Sequence, residues 1–559
     1  MAEVITETIL PGTYIEVRAE GLLTIGGIST GNVGIIGTAE KGNDKIEILS
    51  SFEQGRTKFG SQPPWDPNAN GANLTLVRSL KFLFDNGART VYAQRVLDKD
   101  SAKTAEYPVL NKSNNPMVTL KAKTPGTWGN QLQIRVQEGE KPELVNNELV
   151  AKKNGNYVLS AESILQPQSN DEAIGSVTVI DQGIMKKYQL KLAPASGSVV
   201  HADASSRSLT FAVPPSATAE IRASYWVPQD SNRVVTIKYD NTQEVYTVPS
   251  VYYLNQLLMD QQNPSLLVEV KEGSAGNINA LPKPTLGFDV FSGGENGSVT
   301  LNHYKAAIEN FVEKNIQILV IVGPSFSDIK SAVLGHVEKT ENLGKERIAV
   351  IGANRDRVNN VLEDANEVAD KRVILVAPGL KQKDARTGQV IDLPPYFTAA
   401  AVAGKLSSLS PHVSVTNKSL AGIDNLAKEY NYGEMKSLVE NRVLVLQKKR
   451  GIRVVKGITT HDEAFKQITL RRIVDYIKEG TRRGANQYIG KLNNARVRAA
   501  LQTTLNGFLT DMVTREFLTG YQLNVFADRA MQIRGEVQVT MDLYPTFSID
   551  VIRVIMNLS

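Results

Sequence analysis

Three observations predict a multidomain α/β protein carrying a β-rich insertion. The chain has 559 residues, far past the size at which one hydrophobic core stops growing, so roughly three or four domains are expected. Three compact apolar runs, Ile316 to Val322, Arg347 to Ile351 and Arg372 to Val376, are each followed by Gly or Pro. Helical segments of about 15 residues separate them, the rhythm of a parallel sheet with crossover helices. Between Lys99 and Lys283 the texture changes to short β-prone runs broken by Asn, Gly, Pro and Ser, such as Gln131 to Val136, Gly175 to Ile180, Tyr188 to Leu192, Leu209 to Val213 and Val234 to Tyr239. That pattern is the mark of a β-rich domain.

Taken in order, the first twenty or so residues read as an extended arm, with a turn at Pro11-Gly12 and a β-prone run at Thr13, Tyr14, Ile15 and Val17. A strand at Val33 to Gly37 leads to a helix over Leu74 to Asn86, with Leu76, Leu80, Leu83 and Phe84 at helical spacing and Asn86-Gly87 as its stop. Val91 to Val96 reads as a buried strand. After the three apolar runs, Tyr396 to Leu409 is predicted helical, Val443 to Leu446 and Ile452 to Val455 form a hairpin, and Ile468 to Phe517 is largely helical. From Glu536 to Leu543 alternation is strict: Val537, Val539, Met541 and Leu543 share one face, as in a half-buried strand. Tyr544-Pro545 interrupts it, and Phe547, Ile549 and Val551 resume it. Alternation does not name the strand's partner. The resulting division is 1–25 N-terminal arm, 26–98 first part of the core, 99–283 β-rich insertion, 284–430 α/β domain, 431–535 α+β domain and 536–559 C-terminal arm. No repeat of 20 to 50 residues is present, which argues against solenoids and propellers.

Composition narrows the function classes. A hydrophobic share of 42% and a charged share of 22% are globular values, which excludes disordered, collagen-like and disulfide-scaffold chains. There is no cysteine, so any assembly is held together without covalent links and no thiolate site exists. Met1 to Leu10 includes Glu3 and Glu7 and lacks the pattern of a secretory signal. The apolar runs fall far short of a membrane span; folding in the cytoplasm is the expectation, with no membrane insertion. Between Arg442 and Arg498 there are 15 basic and four acidic residues, a net +11 against +5 for the whole chain. Aromatics for base stacking are sparse there, Phe465, Tyr476 and Tyr488. The segment therefore reads as a basic face for an acidic protein partner and not as a nucleic-acid site.

Catalytic signatures are missing. Neither G-x-G-x-x-G nor G-x-x-x-x-G-K-[ST] occurs, and Gly31, Gly34 and Gly37 have the wrong spacing. The strand ends carry Gly323-Pro-Ser325, Gly352-Ala-Asn-Arg355-Asp356 and Pro378-Gly379. The histidines are His201, His303, His336, His412 and His461, and no G-x-S-x-G elbow accompanies Ser325 or Ser327. No metal-ligand spacing occurs. No catalytic residue, cofactor or metal is expected; the alternative, an α/β hydrolase or nucleotide-binding enzyme, rests on the parallel sheet alone.

Several segments form an ordered series along nearly the whole chain: Leu10-Pro-Gly-Thr-Tyr-Ile-Glu-Val17, Gly34-Ile-Ile-Gly37-Thr-Ala-Glu-Lys-Gly42, Phe59-Gly60, Phe82-Leu-Phe-Asp-Asn-Gly87 and Val91-Tyr-Ala-Gln-Arg-Val96. Pro125-Gly-Thr-Trp-Gly-Asn130, Phe291-Ser-Gly-Gly-Glu-Asn-Gly297 and Gly451-Ile-Arg-Val-Val-Lys-Gly457 continue it. Together they resemble the sheath family of contractile phage tails, tailocins and related injection systems. In the last segment, Val455 stands where the family's hairpin usually carries an aromatic.

The resemblance implies a subtilisin-like α/β domain without catalysis. It also implies a homo-oligomer of six-fold rings around an inner tail tube, between baseplate and tail terminator proteins, in a virion tail assembled in the host bacterial cytoplasm. Two site expectations follow. The terminal arms, Thr13, Tyr14, Ile15 and Val17 with Val537, Val539, Met541, Leu543, Phe547, Ile549 and Val551, exchange as strands between subunits. Arg471, Arg472, Lys478, Arg482 and Arg483, recurring along a predicted helix, face the tube, and the β-rich insertion faces outward.

Overall fold

The computed structural model describes residues 28–69, 73–272, 279–384 and 387–557. The chain forms two compact units, one comprising the residues through Ala39, Asp44–Val96 and Val299 onward, the other Glu40–Asn43 and Leu97–Ser298. Both α/β and all-β architecture are present, giving a mixed multidomain protein.

The first unit is built on an eight-stranded sheet. Its strands are β1 (Val33–Gly37), β2 (Ile46–Leu49), β3 (Val91–Arg95), β4 (Ile318–Ile321), β5 (Ile348–Gly352), β6 (Val373–Ala377), β7 (Leu444–Lys448) and β8 (Ile452–Val454), in the spatial order β2-β3-β1-β4-β5-β6-β7-β8. The six from β3 to β7 run parallel, with antiparallel β2 and β8 at the edges. The central strands are buried at every position, which is why they read as unbroken apolar runs: a parallel sheet is covered on both faces. On one face lie helices α1 (Leu76–Asp85) and α3 (Pro395–Ser408), packed on Val33, Ile35, Ile318 and Ile374. Gly404 permits their close approach, since a Cβ there would meet the Leu83 carbonyl oxygen at 2.3 Å. On the other face α2 (Phe326–Asn342) packs Phe326, Ile329 and Val333 against Ile36, Leu319 and Ile351.

After β8 come helices α4 (Ile468–Asn486) and α5 (Ala495–Thr514), strand β9 (Leu518–Phe526), the short helix α6 (Arg529–Arg534) and strand β10 (Gln538–Pro545). They enclose a separate small core of Ile473, Tyr476, Ile477, Phe508, Leu509 and Met512.

The second unit is almost entirely β. Its eight-stranded sheet orders Glu143–Leu149, Glu220–Val227, Gly175–Asp181, Ile184–Lys191, Val199–Ala202, Ser208–Thr210, Asn156–Val158 and Ala151–Lys153. Smaller sheets pair Arg233–Tyr239 with Gln133–Glu138 and Pro116–Ala122 with Glu106–Leu110. The strand expected over Leu209 to Val213 is cut short at Thr210, just ahead of Pro214-Pro215, which cannot donate to a ladder. Two segments that stand far apart in the chain meet here. Asn130 Nδ2 donates to the Gly294 carbonyl (2.9 Å) and the Gly294 N–H donates to Asn130 Oδ1 (2.8 Å). Asn296 Oδ1 accepts from the Thr127 N–H (3.0 Å), so the Pro-Gly-x-Trp-Gly-Asn turn and the Gly-Gly segment are one structural element.

Candidate functional site

Strand order reverses where β1 lies between β3 and β4, the position at which open α/β sheets usually bind ligands. Side chains fill it. Thr75 Oγ1 donates to the Val322 carbonyl (3.0 Å), Tyr304 OH donates to the same oxygen (3.2 Å), and the Thr38 N–H donates to Thr75 Oγ1 (3.2 Å). Thr75 and Tyr304 are both buried. Next along the edge, Asp364 accepts from the Asn354 N–H (2.7 Å) and Nδ2 (2.6 Å), and Asn354 Nδ2 also donates to Ser327 Oγ (2.7 Å). Burial pushes the Asp364 carboxyl up. Ser325 spends its oxygen as the cap of α2, accepting from the Asp328 N–H. The histidines have local structural partners: His303 Nδ1 accepts the Thr300 N–H (3.0 Å), His461 Nδ1 accepts the Glu463 N–H (3.1 Å), and His336 Nε2 contacts Arg347 Nη1 (3.2 Å). His412 packs against Phe517 with the rings tilted by 49°, and His201 Nδ1 lies 3.1 Å from the Ala193 carbonyl. Among the described residues no group of three or more acidic or histidine side chains could hold a metal, and no helix is long and apolar enough to cross a membrane.

The basic segment is organised by α4, and most of its charge is used within the chain. Arg471 and Arg472 are 1% and 7% exposed. Arg471 pairs with Asp475 (2.7 Å) beside Arg372, and Arg472 donates to the carbonyls of Thr30 (3.1 Å) and Leu409 (2.9 Å). These two therefore do not present their charge to a partner, contrary to the expectation that all five α4 cations do. An arginine one helical turn from the face of Ile468 and Tyr476 is carried inward with it. Lys478, Arg482 and Arg483 keep 40% of their side chains exposed. Even these are tethered: Lys478 to Glu341 (3.1 Å), Arg482 to Glu346 and Glu479, and Arg483 to Glu479 (2.6 Å).

The run from Val537 forms β10, and its partner is the chain itself. It pairs antiparallel with β9 over Phe526↔Gln538 to Leu518↔Pro545, and Met541 and Leu543 pack with Tyr521 and Leu523 on the small core. Val537, expected within the strand, lies just before it, and Val539 lines a groove with Ile477, Lys478, Thr481 and Arg482. The sheet has two strands, so each has an outer edge that no described residue pairs. The free segment begins after Pro545. Thr546 N–H still donates to the Phe517 carbonyl (3.1 Å) and Asp550 is held by Lys456 (3.1 Å). Phe547, Ile549 and Val551 stand 62%, 79% and 73% exposed, followed by exposed Ile552, Val554, Ile555 and Met556. Thr13, Tyr14, Ile15 and Val17 lie outside the described residues. Strand β9 was missed from sequence, although Tyr521, Leu523 and Val525 alternate; so were Glu341 and Glu346, the partners of Lys478 and Arg482 that lie more than a hundred residues upstream.

Residues 297–460 match the phage tail sheath protein central domain, and residues 460–559 match the phage tail sheath C-terminal domain. Over residues 297–559 the chain thus matches the phage tail sheath family. Its relatives include the tail sheath protein of Bacillus phage SP01, 26% identical over 242 residues covering 41% of each chain. The tail sheath protein of Mycobacterium phage Bxz1 is 27% identical over 174 residues, 30% of each chain. The match thus spans about two fifths or less of these relatives' length. The fold extends further than the sequence likeness. The sheath tail protein from Desulfitobacterium hafniense superposes with a TM-score of 0.59 at 14% identity, covering 96% of this chain and all of that one. The sheath tail protein from Listeria innocua gives 0.56 at 14%, covering 92% and 95%. The hairpin β9–β10 and the exposed tail both fall in the match to the sheath C-terminal domain.

Proposed function

We propose that this chain is a structural sheath subunit, without catalysis, that polymerises as a six-fold helical cylinder around an inner tail tube and shortens to drive that tube through a target envelope. The observation that carries the reading is a pairing of opposites in one subunit: a two-stranded sheet with open outer edges, and an apolar tail packed on little of its own chain. Exposed strand edges and alternating apolar ends are hazards unless a partner is intended. Strand addition between copies satisfies both. Phe547, Ile549 and Val551 of one subunit, and Thr13, Tyr14, Ile15 and Val17 of another, are the strands we assign to those edges, with Val537, Val539, Met541 and Leu543 as part of the receiving sheet.

Lys478, Arg482 and Arg483 remain the tube-facing candidates on α4, where exposed pairs worth well under about 1 kcal/mol each let a sheath hold and release. The β-rich unit takes the outer surface, and the cylinder ends meet baseplate and terminator proteins. The setting is a virion tail or tailocin-like particle built in the host cytoplasm. The subtilisin-like reading of the parallel-sheet domain belongs with this proposal. Electron microscopy of the purified chain tests it: long hollow cylinders are expected. An α/β hydrolase or nucleotide-binding enzyme would give monomers or small closed oligomers instead.

A further inference from the structure

Burying a charged group costs several kcal/mol unless an opposite charge and good hydrogen bonds offset it. Two arginines of the first unit fail that condition. Arg347 is 1% exposed, and its guanidinium donates only to the carbonyls of Phe311 (2.7 Å), Val312 (3.3 Å), Lys314 (3.1 Å) and Lys345 (3.2 Å), with His336 Nε2 beside it. Arg472 has the two carbonyl acceptors named above, and its Nη1 is buried with no partner. Among the described residues neither has a carboxylate within ion-pairing distance. Burial accordingly pushes both guanidiniums down to about 10.

Both line the same cavity, about 330 Å³ in volume, between the Ile28–Thr30 segment, the loops before β4 and β5, and α4. Four carboxylates also line it, but each is committed elsewhere. Glu313 is paired with Lys345, Glu346 with Arg482, Asp475 with Arg372 and Arg471, and Glu479 with Arg482 and Arg483. The acid in the wall is thus paired by other cations, of which Lys345 and Arg483 also line the cavity, while the two buried arginines hydrogen-bond to no carboxylate and feel Glu313 and Asp475 only at a distance. Lys314, exposed at the rim, adds a further positive charge.

We propose that this cavity is a binding site for a small oxyanion, a phosphate or carboxylate, that Arg472 holds from within and Lys314 from the rim, with Arg347, whose N–H groups are all used by the chain, contributing its positive charge alone. The bound anion would join the segment entering β1 to α4 and so tie together the parts of the fold from which the terminal segments leave. The site does not depend on the assembly reading. Calorimetric titration of the full chain with sodium phosphate, and separately with sodium succinate, in constant chloride, tests it and tells the two sources apart. Saturable binding of one anion per chain is expected, weakened at least about tenfold by Lys314→Glu and by Arg472→Met, the loss of one charged hydrogen-bond donor. Circular dichroism checks that each variant is folded; Lys314 is on the surface, so that variant stands even where Arg472→Met does not fold. Absence of saturable binding of either anion up to about 10 mM, weaker than any affinity of functional use, overturns the proposal. So does binding that the folded variants leave unchanged.

Discussion

Arg372 is 1% exposed and clamps two carboxylates at once. Its Nη1 and Nη2 lie 2.8 and 3.0 Å from Asp475, while Nε lies 2.9 Å from Glu341. The bond from Arg372 is the main reason the Glu341 carboxyl is held well below the usual range. Replacing Arg372 with Met leaves Asp475 to Arg471 and Glu341 to Lys371 and Lys478, so the loss is expected at about 2–3 kcal/mol, below the roughly 3–5 kcal/mol of a buried pair broken outright. Urea unfolding measures it; a loss under about 1 kcal/mol would contradict the clamp. Glu148, in the β-rich unit, supplies the opposite case. Burial raises its carboxyl to about 7, although Tyr225 OH (2.5 Å) and the Ser160 N–H (3.0 Å) both donate to it. The folded value exceeds the unfolded one, so the folded state holds the proton longer. Stability is therefore highest below about pH 4.5 for this group and falls as pH rises through about 7, by an amount on the order of 3 kcal/mol. Glu148→Gln is expected to flatten that slope in thermal melts between those pH values, and an unchanged slope would assign it to other groups.

Helices α4 and α5 approach so closely at Gly480 that a Cβ would sit 2.1 Å from the Phe508 ring. Alanine favours a helix over glycine by about 1 kcal/mol, but overpacking a buried ring costs about 1–3 kcal/mol, so Gly480→Ala is expected to destabilise. A raised melting temperature would show that Phe508 can yield. Elements of this kind were legible in sequence to different degrees, for physical reasons. The strands β4, β5 and β6 are apolar on both faces and announced themselves. So did α1, α3 and the hairpin β7–β8. The direction of Arg471 and Arg472 was not legible, because a count of charges carries no information on which helix face turns inward, and the Thr30 and Leu409 carbonyls that receive Arg472 lie on other elements. For β10 the alternation gave the strand and its buried face but not its partner, since the ladder bonds through backbone groups common to every residue. The motifs at Pro125–Asn130 and Phe291–Gly297 gave no sign of touching until Asn130 and Gly294 were seen exchanging hydrogen bonds.

At the scale of the molecule, the first unit has a core on each face of its sheet, the second has its own, and the C-terminal elements have a fourth, smaller one. That smaller core is where the chain ends outside itself: β9 and β10 close a hairpin, and the residues beyond Pro545 leave with their apolar side chains in solvent. The strand-exchange account makes the segment after Pro545 dispensable for folding and indispensable for assembly. Removing it deletes no buried residue of the small core and loses only the Thr546 hydrogen bond and the Asp550–Lys456 pair, so the unfolding free energy should fall by no more than about 1–2 kcal/mol. The direct test compares the full chain with one ending at Pro545 by light scattering and electron microscopy at equal concentration. Cylinders from the full chain and folded monomers from the shortened one are the expected pair. Cylinders of normal length from the shortened chain would contradict strand exchange through the tail.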